Sequence, residues 1–176
     1  ARLYAKIAPA AAHAQHKPSH IFTRVGYWQE SIASNSVAQG VAKEAEDFHD
    51  QLHAMDYMVY AHLQLGEDQK AKAVIDGFTE TFLVGPYALA VAPARYAVER
   101  GDWKAAAELK LRPSPLAHIR AITHFARALG AARSGNPEAA KADITTLGEL
   151  RDKLREAKDA YWSEQVDIQS QVATAW

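Results

Sequence analysis

Four glycines constrain this chain more than any other feature. Gly26, Gly66, Gly101 and Gly135 each stand between two segments of helical periodicity, at spacings of about 34–40 residues. Glycine ends a helix because it adopts positive φ without a Cβ clash. Five residues after each glycine comes a small residue, Ser31, Ala71, Ala106 or Ala140. A small residue lets two antiparallel helices approach closely. Trp28 and Trp103 follow the first and third turns by two residues and read as packing residues. A recurring helix–turn–helix unit predicts a stack of helix pairs, because one such unit cannot bury its apolar face alone.

The segments between the glycines support an all-α fold. Alanine is abundant, β-branched runs are few, and apolar residues recur at i, i+3 and i+4. Residues 1–8 read as the end of a helix stopped near Pro9. A helix then runs through the histidine segment to Val25, with Pro18 either starting its regular part or kinking it. The next helices are predicted from Trp28 to about Glu46, with Trp28, Ile32, Val37 and Val41 as its apolar stripe, and from Phe48 to Leu65. Further helices follow over Glu67–Phe82, Tyr87–Arg100, Trp103–Leu111 and Leu116–Ser134. Gly85-Pro86, Pro113 and Pro115 mark turns and loops. Glu138 to about Ala157 is helical, with Gly148 a weak point, and Lys158–Trp176 is a final helix. The spacing predicts about four helix pairs plus a C-terminal capping helix in one domain over residues 1–176. The opening ARLYAKIAP leads us to expect a piece of a longer repeat protein.

Composition narrows the partners. With 20 basic and 21 acidic residues the net charge is −1, which gives no electrostatic case for nucleic acid. No run approaches the roughly 18 apolar residues of a membrane span. The chain has no cysteine, so disulfides and thiolate metal sites are excluded. No glycine-rich phosphate loop, nucleophile elbow or paired-carboxylate site is present. We therefore assign no catalytic residues; the sequence leans away from an enzyme without deciding it, with a metal-dependent protein as the alternative.

A period near 34 with helix–turn–helix units resembles the tetratricopeptide repeat (TPR). The segments HAQHKPSHIFTRVGYWQESIASN and LHAMDYMVYAHLQLGEDQKA resemble, more narrowly, a bacterial family of such proteins. Its members carry a histidine–x–proline–small–histidine sequence before the first turn, here His16-Lys17-Pro18-Ser19-His20. The resemblance covers residues 1 to about 80; from Phe82 to Leu147 it rests on the generic repeat pattern, and the last helix lies outside it. It implies a right-handed α-α superhelix, a TPR-like solenoid, that binds a protein or peptide partner in its concave groove. It implies no reaction.

In that repeat family the residues at fixed offsets before each turn face the groove. Those offsets select His13, His16 and His20 before Gly26, and His53, Asp56, Tyr57 and Tyr60 before Gly66. They select Ala88, Val91 and Arg95 before Gly101, and Ile122, Phe125 and Leu129 before Gly135. Arg24 joins this partner-binding set as a carboxylate-pairing cation. The groove is expected to be rich in histidine and aspartate in its first half and mostly apolar in its second.

Four of these residues have the chemistry of metal ligands. His16 and His20 are i, i+4 on one helix, and His53 and Asp56 are i, i+3 on the next. Imidazole and carboxylate suit zinc, copper or nickel. No HExxH sequence accompanies them. A structural reading stands beside the metal reading. Pro18 frees a carbonyl one turn earlier, and a histidine N–H is a natural donor to it, to another histidine or to Asp56. A third reading makes the chain a spacer within a larger protein. His49 is expected at a cap or in solvent, His62 in the core, and His118 and His124 in structural or exposed positions. The mixed-charge run over residues 149–159 reads as a solvated helix face. Pro18 and Pro93 both fall eight residues before a turn glycine, which suggests a shared kink.

Overall fold

A computed structural model describes residues 3–78 and 87–176. Among the described residues all regular structure is helical, with nine α-helices, one 3₁₀ turn and no strand. The chain divides into two compact units, Ala1–Thr81 and Phe82–Trp176. The first holds a 3₁₀ turn at Tyr4–Lys6, then α1 (Ala12–Arg24), α2 (Trp28–Glu44), α3 (Phe48–Gln64) and α4 (Asp68–Asp76). The second holds α5 (Tyr87–Glu99), α6 (Trp103–Ala107), α7 (Ala117–Arg133), α8 (Pro137–Glu156) and α9 (Ala160–Ala175). Within each unit, consecutive helices pack against one another. None of the described helices is long and apolar enough to cross a membrane.

One turning device joins most of these helices. Gly26, Gly66, Gly101 and Gly135 all have positive φ, between 66° and 86°. After each, the next backbone N–H reaches back to a carbonyl of the preceding helix: Tyr27 to Phe22, Glu67 to His62, Asp102 to Ala97 and Asn136 to Ala131. This bond closes a Schellman-type C-cap. The same bond occurs at two places without glycine. Asp47 bonds to Ala42 past Glu46, and Asp159 bonds to Leu154 past Lys158. Glu46 and Lys158 have φ of 55° and 58°. The residue after the left-handed position also starts the next helix. Asp47, Asp102, Asn136 and Asp159 each accept a backbone N–H three residues on. Such caps each contribute about 1 kcal/mol.

The small residues behave as the sequence predicts. Ser31, Ala71 and Ala106 have no exposed surface and Ala140 has 1%. The apolar stripe predicted for α2 does not. Val37 is 52% exposed, and the buried residues of α2 are Ser31, Asn35, Ala38 and Ala42. Close helix approach selects small side chains for the contact face, and the larger apolar residues move to its flanks. Closer still is the contact of α6 with α7, where a Cβ on Gly130 would lie 2.5 Å from the Ala107 nitrogen. No larger residue fits there unless the helices separate.

Several predicted ends are corrected. α4 stops at Asp76 with Gly77 as its C-cap, and residues 79–82 and the Gly85-Pro86 turn lie outside the described residues. α6 stops at Ala107, not Leu111. Pro113 cannot continue a helix, because its ring clashes with the carbonyl four residues earlier. The start of the chain holds one 3₁₀ turn, and α8 runs unbroken through Gly148. Pro18 and Pro93 both lie inside helices.

Apolar packing anchors each unit. In the first, Leu52, Met55 and Val59 of α3 are at most 3% exposed. In the second, Leu147, Leu150 and Leu154 of α8 pack with Val166 of α9 and alanines of α7. Each such side chain contributes roughly 1.5–3 kcal/mol. The seam between α1 and α2 is different. It buries Gln15, His16, Ser19, Ser31 and Asn35, each at most 9% exposed. The histidine cluster rests on this polar seam.

Candidate functional site

The site begins with Asn35. Its Nδ2 donates to the Ser31 carbonyl at 2.8 Å, which turns its Oδ1 toward α1. His16 Nδ1 lies 2.7 Å from that oxygen and donates to it. This bond fixes the tautomer: the His16 proton sits on Nδ1 and the Nε2 lone pair is free to accept. His16 Nε2 is 3.0 Å from His20 Nε2, and His20 Nδ1 is 3.0 Å from the Tyr57 hydroxyl. One consistent order of protons follows. Tyr57 Oη–H donates to His20 Nδ1, His20 Nε2–H donates to His16 Nε2, and His16 Nδ1–H donates to Asn35 Oδ1.

Helical spacing brings these groups together. His16 and His20 are one turn apart on α1, and His53 and Tyr57 are one turn apart on α3. The His16 and His53 rings are 4.3 Å apart between centroids, and His16 and Tyr57 meet edge to face at 4.7 Å. One nitrogen from each of His16, His20 and His53 lies within 4.8 Å of the other two. A tetrahedral zinc site sets its nitrogens about 3.3 Å apart. The His16–His20 pair is near that spacing already, and His53 is close to both.

Charge favours lone pairs over protons here. Burial pushes His16 down to about 4, with its bond to Asn35 opposing and neighbouring His53, His20 and His13 adding to the fall. His20 is lowered by desolvation, then by His13, Lys17 and Arg24. His53 is lowered by desolvation, then by His20 and His49, while Asp50 opposes. At neutral pH the three rings are uncharged, the form in which imidazole binds a metal.

The predicted residues separate into those in the cluster and those elsewhere. His16, His20, His53 and Tyr57 come together. Asp56 does not join the three-imidazole group; it is buried at 5% exposure. The physical reason is angular. At 3.6 residues per turn, position i+4 lies over His53 with an offset of about 40°, whereas i+3 is turned by about 60° the other way, into the packed side of α3. Tyr57 therefore occupies the place expected of Asp56. His13 is exposed, with its ring 5.7 Å from that of His16. Tyr60 meets Trp28 edge to face at 5.6 Å, and Arg24 is exposed in the last turn of α1. Arg95 belongs to the second unit, where it is 3.7 Å from Glu99. The carbonyl freed by Pro18 attracts no histidine among the described residues. The seam instead has Ser34 Oγ donating to the Gln15 carbonyl at 2.5 Å.

The remaining histidines are placed as follows. His49 is exposed, and His62 is buried with Nδ1 2.7 Å from Glu67. His118 stacks on Trp162 at 4.2 Å. His124 is buried and donates from Nδ1 to Asp143 Oδ1 at 2.6 Å. Both hydrogen-bonding partners, Asn35 and Asp143, escape a reading of the sequence by helical faces. A signal for them existed: each lies 19 residues after its histidine, across a turn glycine. Comparison with protein-family models, with curated proteins and with solved structures finds no match to this chain.

Proposed function

We propose that this chain is a helical-repeat scaffold of the tetratricopeptide type whose first unit binds a divalent transition metal through His16, His20 and His53. The observation that carries the metal reading is the approach of three uncharged imidazoles from two helices to within 4.8 Å. The repeat reading draws support from the positive-φ glycines and from the buried small residue five positions after each. Asn35 supplies what a metal-ligating histidine needs behind it, an acceptor that holds the proton on the far ring nitrogen. His20 would ligate through Nε2 by moving its proton to Nδ1, with Tyr57 Oη as acceptor. Three nitrogens leave a tetrahedral ion one open position. Zinc, copper and nickel all suit an imidazole set.

Equilibrium dialysis of untagged, chelator-treated protein against zinc, copper(II) and nickel chlorides tests the site. One equivalent of at least one ion is expected, together with a higher melting temperature. Both should vanish in His53→Ala, a half-buried position whose loss leaves the His16–Asn35 bond intact. Retention of no ion, or equal retention by the variant, would overturn the metal reading.

A second reading has one observation of its own. In the second unit, Val91, Arg95, Ile122 and Phe125 line one depression of about 210 Å³ between α5 and α7. These are four of the positions assigned to the groove by offset from the turn glycines. An apolar floor with Arg95 and Glu99 paired at its edge suits an extended segment of a partner protein. Binding on a peptide array that persists unchanged in Arg95→Ala would remove this role for the groove.

A further inference from the structure

An ion held by His16, His20 and His53 has one position open. A fourth imidazole, His13, lies on α1 one turn before His16. His13 is exposed, with its ring 5.7 Å from that of His16, and it makes no hydrogen bond among the described residues. The direction of helical side chains brings it within reach. Side chains on an α-helix lean toward its N-terminus, so an ion shared by His16 and His20 lies over the turn before them, the one that carries His13. The ring spacings agree. Imidazoles around a tetrahedral ion hold their centroids about 5 Å apart. Here His16 is 4.7 Å from His20, 4.3 Å from His53 and 5.7 Å from His13. When protonated, His13 also opposes charge on each of the other three. His49, the other exposed imidazole nearby, is already turned to Asp50, with Nδ1 3.4 Å from its carboxylate, and its ring lies 6.4 Å from that of His53.

We propose that His13 swings in as the fourth ligand, so that His13, His16, His20 and His53 close around one divalent ion. This rests on the metal reading above and names what completes that site. Rotation of an exposed side chain with no hydrogen bond to break costs only its rotamer freedom. The other three ligands are already assembled, so His13 alone moves. An ion with four protein ligands keeps no position for a substrate, which is the pattern of structural zinc sites; catalytic sites keep one for water. The closed set therefore ties α1 to α3 through the ion and performs no chemistry on it. Four neutral nitrogens follow the general order of divalent affinities, in which copper(II) stands above nickel and zinc.

Copper(II) titration of the full, untagged, chelator-treated chain, followed by electron paramagnetic resonance, tests the proposal. The one-to-one complex is expected to show nitrogen splitting from four imidazoles. His13→Ala should bind copper(II) at least roughly tenfold more weakly, with splitting from three imidazoles and unchanged helical circular dichroism. Free imidazole should restore the wild-type spectrum to His13→Ala, a rescue that a merely structural role for His13 would not give. His49→Ala should leave the spectrum as it is. Equal affinity and identical spectra for the wild type and His13→Ala would overturn the fourth ligand and leave the three-imidazole site standing. A nitrogen lost in His49→Ala but kept in His13→Ala would overturn it as well. Failure of the wild type to bind copper(II), zinc or nickel would overturn both the closed site and the metal reading.

Discussion

The two units each hold a buried histidine against a polar partner 19 residues later, and the partners differ by one atom. In the first unit the partner is the Asn35 amide, and in the second it is the Asp143 carboxylate. Both histidines sit ten or eleven residues before a turn glycine. The geometry is nearly the same, with Nδ1 donating over 2.7 Å and 2.6 Å. The electrostatics are not. A neutral amide offsets only part of the cost of charging a buried ring, and the other imidazoles around His16 add to that cost. Asp143 brings a negative charge, and Arg127 is recruited to balance it. The same scaffold position therefore yields a neutral lone-pair cluster in one unit and an ion-paired network in the other.

Removing the charged partner should do the most damage. Asp143→Ala leaves His124 and the half-buried Arg127 without their carboxylate, and is expected to cost about 3 kcal/mol in urea unfolding. A loss under about 1 kcal/mol would mean that the network contributes little to stability. Acidification should come next and act on the first unit. His16 is held at about 4, below its ordinary 6.5, so the unfolded chain binds a proton that the folded chain refuses. The stability is fully present above pH 6.5 and is lost as pH falls through 4. Between about pH 7.5 and 4.5, hydrogen exchange of α1 and α2 in chelator should report a loss of about 2–3 kcal/mol beyond that of His16→Gln. Asn35→Asp should shrink this loss, because a carboxylate stabilises the imidazolium. An unchanged pH profile would break the comparison at its centre.

Truncation of the neutral partner ranks third. Asn35→Ala is expected to cost about 2 kcal/mol in the same urea titration, since it strands a buried Nδ1–H. The smallest effect concerns the turns, not the histidines. Glu46→Gly and Lys158→Gly should each raise stability by about 1 kcal/mol, because both residues adopt a left-handed conformation that suits glycine. A fall in melting temperature for either would mean that the side chain contributes more than its strained backbone costs.

The helices and four of their turns were legible because glycine, caps and apolar period are local signals. Glu46 and Lys158 were not, since neither residue type advertises positive φ. The long first spacing between glycines follows from the length of α2, 17 residues against 9 in α4 and 5 in α6. Of the candidate ligands, His16, His20 and His53, selected by offsets taken from the repeat family, lie together. Asp56 lies outside that group because an offset of three and an offset of four point to different sides of α3. The buried face of α2 was misread for a related reason. Hydropathy marks Val37, whereas close helix contact selects Ser31, Asn35 and Ala38. Asn35 and Asp143 lie across a turn from their histidines, and a single sequence carries that pairing only as a repeated distance.

The three-residue turns have a consequence for how such a chain can be altered. Gly26, Glu46 and Gly66 are evenly spaced along the chain, so α2 and α3 are cassettes of equal length with interchangeable ends. Each cassette ends on a left-handed residue, and α3 also begins at a side-chain cap, Asp47, where Tyr27 before α2 provides none. Lengths that preserve those two positions can be spliced, duplicated or exchanged without redesigning a loop. Insertion of a single residue inside the turn at Glu46 would instead break the C-cap of α2 and the Asp47 cap of α3 at once.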